Sequence, residues 1–149
     1  MTKITPFLWF DDQAEEAMNF YTSVFKNSKI TNISRNGDKV FSGSFTLDGQ
    51  DFFALNGGPL FKFNESISFF VNCETQEEVD YFWEKLSAGG EESQCGWLKD
   101  KFGASWQIVP SMLGEVLNGS DPVGSQRTRQ AMLQMSKLDI AKLRKAYEG

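Results

Sequence analysis

Histidine is absent from the chain. Without it no Ser-His-Asp triad or Cys-His dyad can be assembled. The side chain most used for proton transfer near neutral pH is missing. A metal ion would have to be held by Asp, Glu, Cys or backbone oxygen, which excludes the usual imidazole-rich zinc and iron sites. Cysteine is scarce too: Cys73 and Cys95 lie outside any CxxC or Cys-rich context, as in a reduced cytoplasmic protein with free thiols. Basic residues are in deficit, 15 against 20 acidic, for a net charge of −5. A nucleic-acid binder shows a basic excess concentrated on one face. The one basic cluster, Arg127, Arg129, Lys137, Lys142, Arg144 and Lys145, is diluted by helix-forming residues and reads as a solvated helix face. Long apolar runs are missing as well. No signal peptide, transmembrane helix, membrane partner or nucleic-acid partner is expected.

What the chain does have is phenylalanine, 14 copies beside 4 Trp and 3 Tyr, in 149 residues. A globular chain of that length buries roughly 70% of its unfolded surface, enough for one domain or two small modules. Thr5 to Phe10 reads as a strand, with Pro6 near its start. Asp12 is a candidate N-cap for a helix that carries Ala14, Ala17, Met18, Tyr21, Val24 and Phe25 on one face. Three strands follow, punctuated by Asn36-Gly37 and Asp48-Gly49: residues 29–35, 39–47 and 50–56. A loop runs from Asn56-Gly57-Gly58-Pro59 to about Glu65.

The same order then recurs. Ser66 to Val71 is a strand. Thr75-Gln76-Glu77-Glu78 is a capping box opening a helix with Val79, Phe82, Trp83 and Leu86 on its apolar face, and Gly89-Gly90 ends it. Short strands continue to Val109 and stop at Pro110. The expected class is therefore α+β, a β-α-β-β-β module written twice, over about 3–56 and 66–109. A helical tail occupies about 111–148, with helices at Gln126 to Met135 and Leu138 to Tyr147 and a shorter one at Ser111 to Leu117. The alternative is an unrelated α+β domain with two helices. Glu15-Glu16 and Glu77-Glu78 look like acid pairs, but first-turn carboxylates that favour the helix dipole account for them.

The doubled module resembles the vicinal oxygen chelate superfamily, which includes glyoxalases, extradiol dioxygenases and drug-binding resistance proteins. Within it the chain resembles the PhnB-like branch, often labelled 3-demethylubiquinone-9 3-methyltransferase-like. The resemblance is carried by residues 4–10, by Ala14-Glu15-Glu16-Ala17 with Phe20-Tyr21, and by Asp48-Gly49-Gln50. It is carried most specifically by the block from Cys95 to Ile108, with residues 131–135 and 138–140 in the tail.

The resemblance implies one domain in which the modules pair into a partly open, barrel-like sheet with helices outside and a ligand within. It also implies a homodimer and a four-position metal row falling near Pro6, Ala54, Ser66 and Gln107. That row holds no adequate donor set, since only Gln107 offers a serviceable oxygen. No metal or other cofactor is expected. A methyltransferase's Gly-rich loop between strand and helix is not matched by Asn56-Gly57-Gly58-Pro59 either. If the row points inward, so do Leu8, Phe10, Phe52, Asn56, Ser68, Phe70 and Ser105. Phe7, Trp9, Phe53, Phe69, Val71, Trp106 and Ile108 then face the helices.

The expected function is metal-free binding of a small molecule in an apolar, aromatic-lined cavity. Leu8, Phe10, Phe52, Asn56, Ser66, Ser68, Phe70, Trp97 and Gln107 are the ligand-binding candidates. The Phe rings could equally fill that space. Two alternatives stay open: a glyoxalase-type lyase or isomerase with a non-standard metal site, and an interaction module using the C-terminal helices.

Overall fold

Each β-α-β-β-β order builds its own four-stranded sheet in the computed structural model, which describes residues 2–149. The chain divides into two compact units, Met1–Lys62 and Phe63–Gly149.

In the first unit the elements are β1 (Phe7–Phe10), α1 (Ala14–Val24), β2 (Lys29–Asn36), β3 (Lys39–Leu47) and β4 (Gln50–Asn56). The sheet order is β1-β4-β3-β2, with β1 parallel to β4 and the other pairs antiparallel. Asp48 and Gly49 both take positive φ, 47° and 83°, the geometry of a tight two-residue hairpin turn. That turn pairs Leu47 with Gln50, which sets Phe45 opposite Phe52 and Gly43 opposite Ala54. α1 lies on this face. Tyr21 stacks on Phe45 at 6.2 Å between ring centroids, and Phe45 on Phe52 at 5.1 Å. Gly43 is the point of closest approach: a Cβ there would come within 2.7 Å of Met18 Cε and 2.9 Å of the Asn32 carbonyl.

The start of α1 differs from expectation. Its N-cap is Gln13, not Asp12, and no side chain of the cap residue bonds the helix. The first amide is capped across the sheet instead, with Ala14 N donating to Asn56 Oδ1 at 2.8 Å. The Asn56 amide also donates to the Val40 carbonyl, tying together the helix start, β4 and β3.

In the second unit, β5 (Ser68–Cys73), α2 (Gln76–Ser87), β6 (Glu91–Glu92), β7 (Trp97–Lys99) and β8 (Ser105–Pro110) form a sheet of order β5-β8-β7-β6, with β5 parallel to β8. Thr75 Oγ1 accepts from Glu78 N, as the capping-box pattern requires, and α2 ends before Gly89, whose φ is +75°. Val79, Trp83 and Leu86 are buried on α2, and Leu98, Trp106 and Ile108 on the strands. β5 begins at Ser68, two residues later than expected. Ser66 uses both its amide and its hydroxyl on Asn64 Oδ1, a local turn that competes with strand pairing.

The tail forms α3 (Ser111–Leu117), α4 (Pro122–Met132) and α5 (Ile140–Glu148). α4 starts four residues before the expected Gln126, because Asp121 caps Val123 N and Pro122 occupies the first turn. It also stops before Met135. Met112, Leu113, Leu138 and Leu143 bury with Val109 in a second apolar cluster, so the tail is packed on its own unit. Gln76 fastens it: Nε2 donates to the Leu138 carbonyl at 3.1 Å, and Oε1 accepts from Ile140 N at 2.8 Å. Lys137 pairs with Asp80 at 2.8 Å. In the basic cluster, Arg127 donates to the Ala146 and Tyr147 carbonyls at the end of α5. Among the described residues no helix is long and apolar enough to cross a membrane.

Candidate functional site

The two units treat their sheet faces differently from one another, and from expectation. In the first unit, Leu8, Phe10, Phe52 and Ala54 are buried with Gly43 and Phe45 on the face under α1. The expected facing is therefore inverted there. Phe7, Trp9 and Phe53 take the opposite face; Phe7 is 58% exposed, while Phe10 is 3% exposed. The rings of Phe7 and Phe53 lie 5.2 Å apart, and Trp9 meets Phe61 edge-on at 5.1 Å. Pro6 precedes β1 and is half-buried. Asn56 is committed to capping α1.

In the second unit the expected facing holds. Phe69, Trp106 and Ile108 share the α2 side with Cys73, while Ser68, Phe70, Ser105 and Gln107 take the other. Phe70 is exposed, and Gln107 Nε2 donates to Ser68 Oγ at 3.0 Å. Ser66 is exposed and lies before the strand.

Beside β7 and β8 the second unit opens a cleft of about 450 Å³. Register pairs Lys99 with Ser105 and Trp97 with Gln107, so these four side chains share one face. Trp97, Lys99 and Ser105 line the cleft, and Cys95 stands at its rim. Of the sequence-derived candidates, the structure brings only Trp97 to this cleft.

Ser105 is 2% exposed, and its Oγ has no hydrogen-bond partner. A buried hydroxyl left unpaired costs about 1–3 kcal/mol, and such a group calls for a partner. Lys99 Nζ reaches Glu65 Oε1 at 2.9 Å. The hydrogen bond from Lys99 holds the Glu65 carboxyl below its ordinary pKa, with the lysine's charge assisting. Glu91 and Glu92 form the outer edge, and Glu92 accepts the indole N–H of Trp83. Glu91 and Glu92 were not singled out from the sequence; exposed charges on a two-residue edge strand carry no pattern that marks them.

The rim has an unusual backbone. Cys95 and Gly96 both take positive φ, 60° and 86°. For a non-glycine residue that conformation costs about 1–2 kcal/mol. Their amides donate to the Met135 and Ser136 carbonyls, each at 2.8 Å, so the tail holds the turn. A Cβ at Gly96 would come within 2.8 Å of the Ile108 carbonyl, which leaves glycine as the fitting residue.

A divalent ion is what the superfamily resemblance implies, and the donors do not fit one. Pro6 and Ala54 carry no side-chain donor, Ser66 is bonded to Asn64, and Gln107 is turned to Ser68. Among the described residues no group of three or more His, Cys, Asp or Glu is placed to hold a metal. The Gly57-Gly58 loop makes no phosphate cradle either: both amides donate to carbonyls, of Phe10 and Asp11, and no helix follows before β5.

No curated protein matches the chain. A family model described as 3-demethylubiquinone-9 3-methyltransferase matches residues 2–109. A PhnB protein of that description from Bacillus cereus is 40% identical, with 74% of this chain covering 100% of that one at a TM-score of 0.70. A Pseudomonas aeruginosa protein shares the fold at 17% identity and a TM-score of 0.64, over 74% of this chain and 98% of the other. The fosfomycin resistance protein FosX from Listeria monocytogenes does so at 17% identity and 0.56, over 77% and 97%. With two mixed sheets, the doubled module and a family match across most of its length, the chain belongs to the PhnB-like 3-demethylubiquinone-9 3-methyltransferase family of the vicinal oxygen chelate superfamily.

Proposed function

We propose that this chain binds a small, partly aromatic organic molecule without the help of a metal ion, and that the cleft beside β7 and β8 is where it does so. The observation that carries this reading is the Ser105 hydroxyl, buried and unpartnered at a cleft that Trp97 also lines. An aromatic wall supplies contact area, and a single hydrogen-bonding group at the floor fixes orientation, which is how small-molecule sites are composed. The likeness to FosX, a resistance protein, agrees with a small-molecule ligand. Ser68, Phe70 and Gln107, on the same sheet face, are proposed to extend the site along β5 and β8. A cytoplasmic homodimer is part of the same proposal.

Thermal shift against a panel of aromatic and heterocyclic compounds tests it, run on the wild type and on Ser105→Ala. Stabilisation by at least one compound, reduced in the variant, is expected. A panel with no effect on the wild type would count against the reading. Elemental analysis of the native protein checks the metal: a stoichiometric divalent ion would return the glyoxalase-type alternative, since that chemistry needs the ion as Lewis acid.

A further inference from the structure

Building on that reading of the cleft, we infer that its ligand is a small organic cation, a protonated amine carried on a planar ring. Two carboxylates, those of Glu65 and Glu91, border the cleft on the face of its one ammonium, that of Lys99. The ammonium is not available to an incoming anion without competition, because Glu65 already holds it at 2.9 Å. Glu91 stands beside it on neighbouring β6, paired with Lys99, whereas Glu92 pairs with Leu98 and accepts the Trp83 indole N–H on the α2 side. The field in the cleft is thus negative, which attracts cations and repels carboxylates or phosphates.

Trp97 adds an aromatic surface, whose face attracts a cation and stacks a ring. The buried Ser105 hydroxyl, which donates and accepts, takes a polar substituent of the ring. A carboxylate border alone would be an ordinary solvated edge. The unpartnered hydroxyl beneath it makes the border part of a site.

Three matched probes on the full chain test this: phenylethylamine, 2-phenylethanol and 3-phenylpropionate share a ring and a short arm and differ in charge. Binding is followed by amide chemical-shift changes at residues 95–107. The amine should bind about tenfold more tightly than the alcohol at low salt and the carboxylate more weakly than either, because each exposed carboxylate adds a modest, screenable attraction. High salt should erase most of the preference. Glu91→Gln, at an exposed position, should lower the amine's affinity about threefold and leave the alcohol's unchanged. Equal binding of all three, or tighter binding of the carboxylate, overturns the cationic assignment and leaves the cleft as a ligand site. No shift at Trp97 or Ser105 with any probe overturns both.

Discussion

The indole N–H of Trp106 donates to Asp100 Oδ2 at 2.8 Å, and Asp100 is 2% exposed. The other carboxylate oxygen accepts from the amides of Phe102 and Ala104 at 2.9 and 3.0 Å. One side chain thus folds the β7–β8 turn and anchors a buried tryptophan of the second unit's core. It also sets where β8 begins, and so where Ser105 meets the cleft. Hydrogen bonds to a charged group contribute about 1.5–3 kcal/mol each, and unpaired donors add to the loss. Asp100→Ala is expected to cost at least about 3 kcal/mol in urea unfolding, with Asp100→Asn retaining part of the stability.

The inverted facing of the first unit separates two adjacent phenylalanines. Phe52 stacks on Phe45 beneath α1, whereas Phe53 meets Phe7 on the other face. Phe52→Ala should cost about 3–5 kcal/mol, the range for emptying a packed core position, and Phe53→Ala clearly less. Equal costs in chemical denaturation would show that the facing is misassigned.

Ser105→Ala has two expected effects of opposite sign. Removing an unpaired buried hydroxyl should leave stability unchanged or raise it, by up to about 1–3 kcal/mol. Ligand affinity should fall. Thermal melts with and without the best-stabilising compound read both.

The cysteines should separate by reactivity. Cys73 is fully buried, and burial first, then the charges of Glu78 and Glu74, push its thiol up from 9.0 to about 12. Cys95 is half-buried at the cleft rim. At pH 8 a thiol reagent should modify Cys95 in the native protein and Cys73 only after unfolding. The protonated Cys73 stabilises the fold fully below pH 9, and that contribution is lost as pH rises from 9 towards 12. Cys73→Ser or Cys73→Ala should flatten the alkaline fall in melting temperature across that window.

At acid pH the tail should loosen. The hydrogen bond from Lys137, then that from Gln76, holds Asp80 below its ordinary 3.8. A carboxylate depressed in the folded state stabilises it above the unfolded pKa and loses that contribution as pH falls through the folded one. Hydrogen exchange in residues 133–139 should therefore quicken below about pH 4 relative to the β-sheet amides, after correction for intrinsic rates. Asp80→Asn should remove the difference.

How far the sequence could be read depends on which signals were phased. The repeat, the helix faces and the hairpins were legible, since glycine punctuation and apolar spacing are local. The facing of β1 was not, because Phe7-Leu8-Trp9-Phe10 is apolar on both sides and alternation then has no sign. The sign was present two strands away. Gly43, Phe45 and Leu47 alternate with Ser42, Ser44 and Thr46 in β3, and the two-residue turn at Asp48-Gly49 carries that phase into β4. Asn56 as the cap of α1 could not be found locally, since donor and acceptor lie 42 positions apart. The cleft was missed for a similar reason. Its acidic edge comes from one short strand and a loop, and the unpaired state of Ser105 exists only once the strands are assembled.

The family match stops at residue 109, yet the backbone of the cleft does not. Met135 and Ser136, well past that limit, supply the carbonyls that hold Cys95 and Gly96 in their left-handed turn. The end of the family match is thus not the end of the structure that holds the cleft's rim. A fragment cut at Pro110 for expression or fusion would keep every residue of the family match and lose the brace at the mouth of the cleft. Affinities measured on such a fragment would describe a different rim from the one this chain presents.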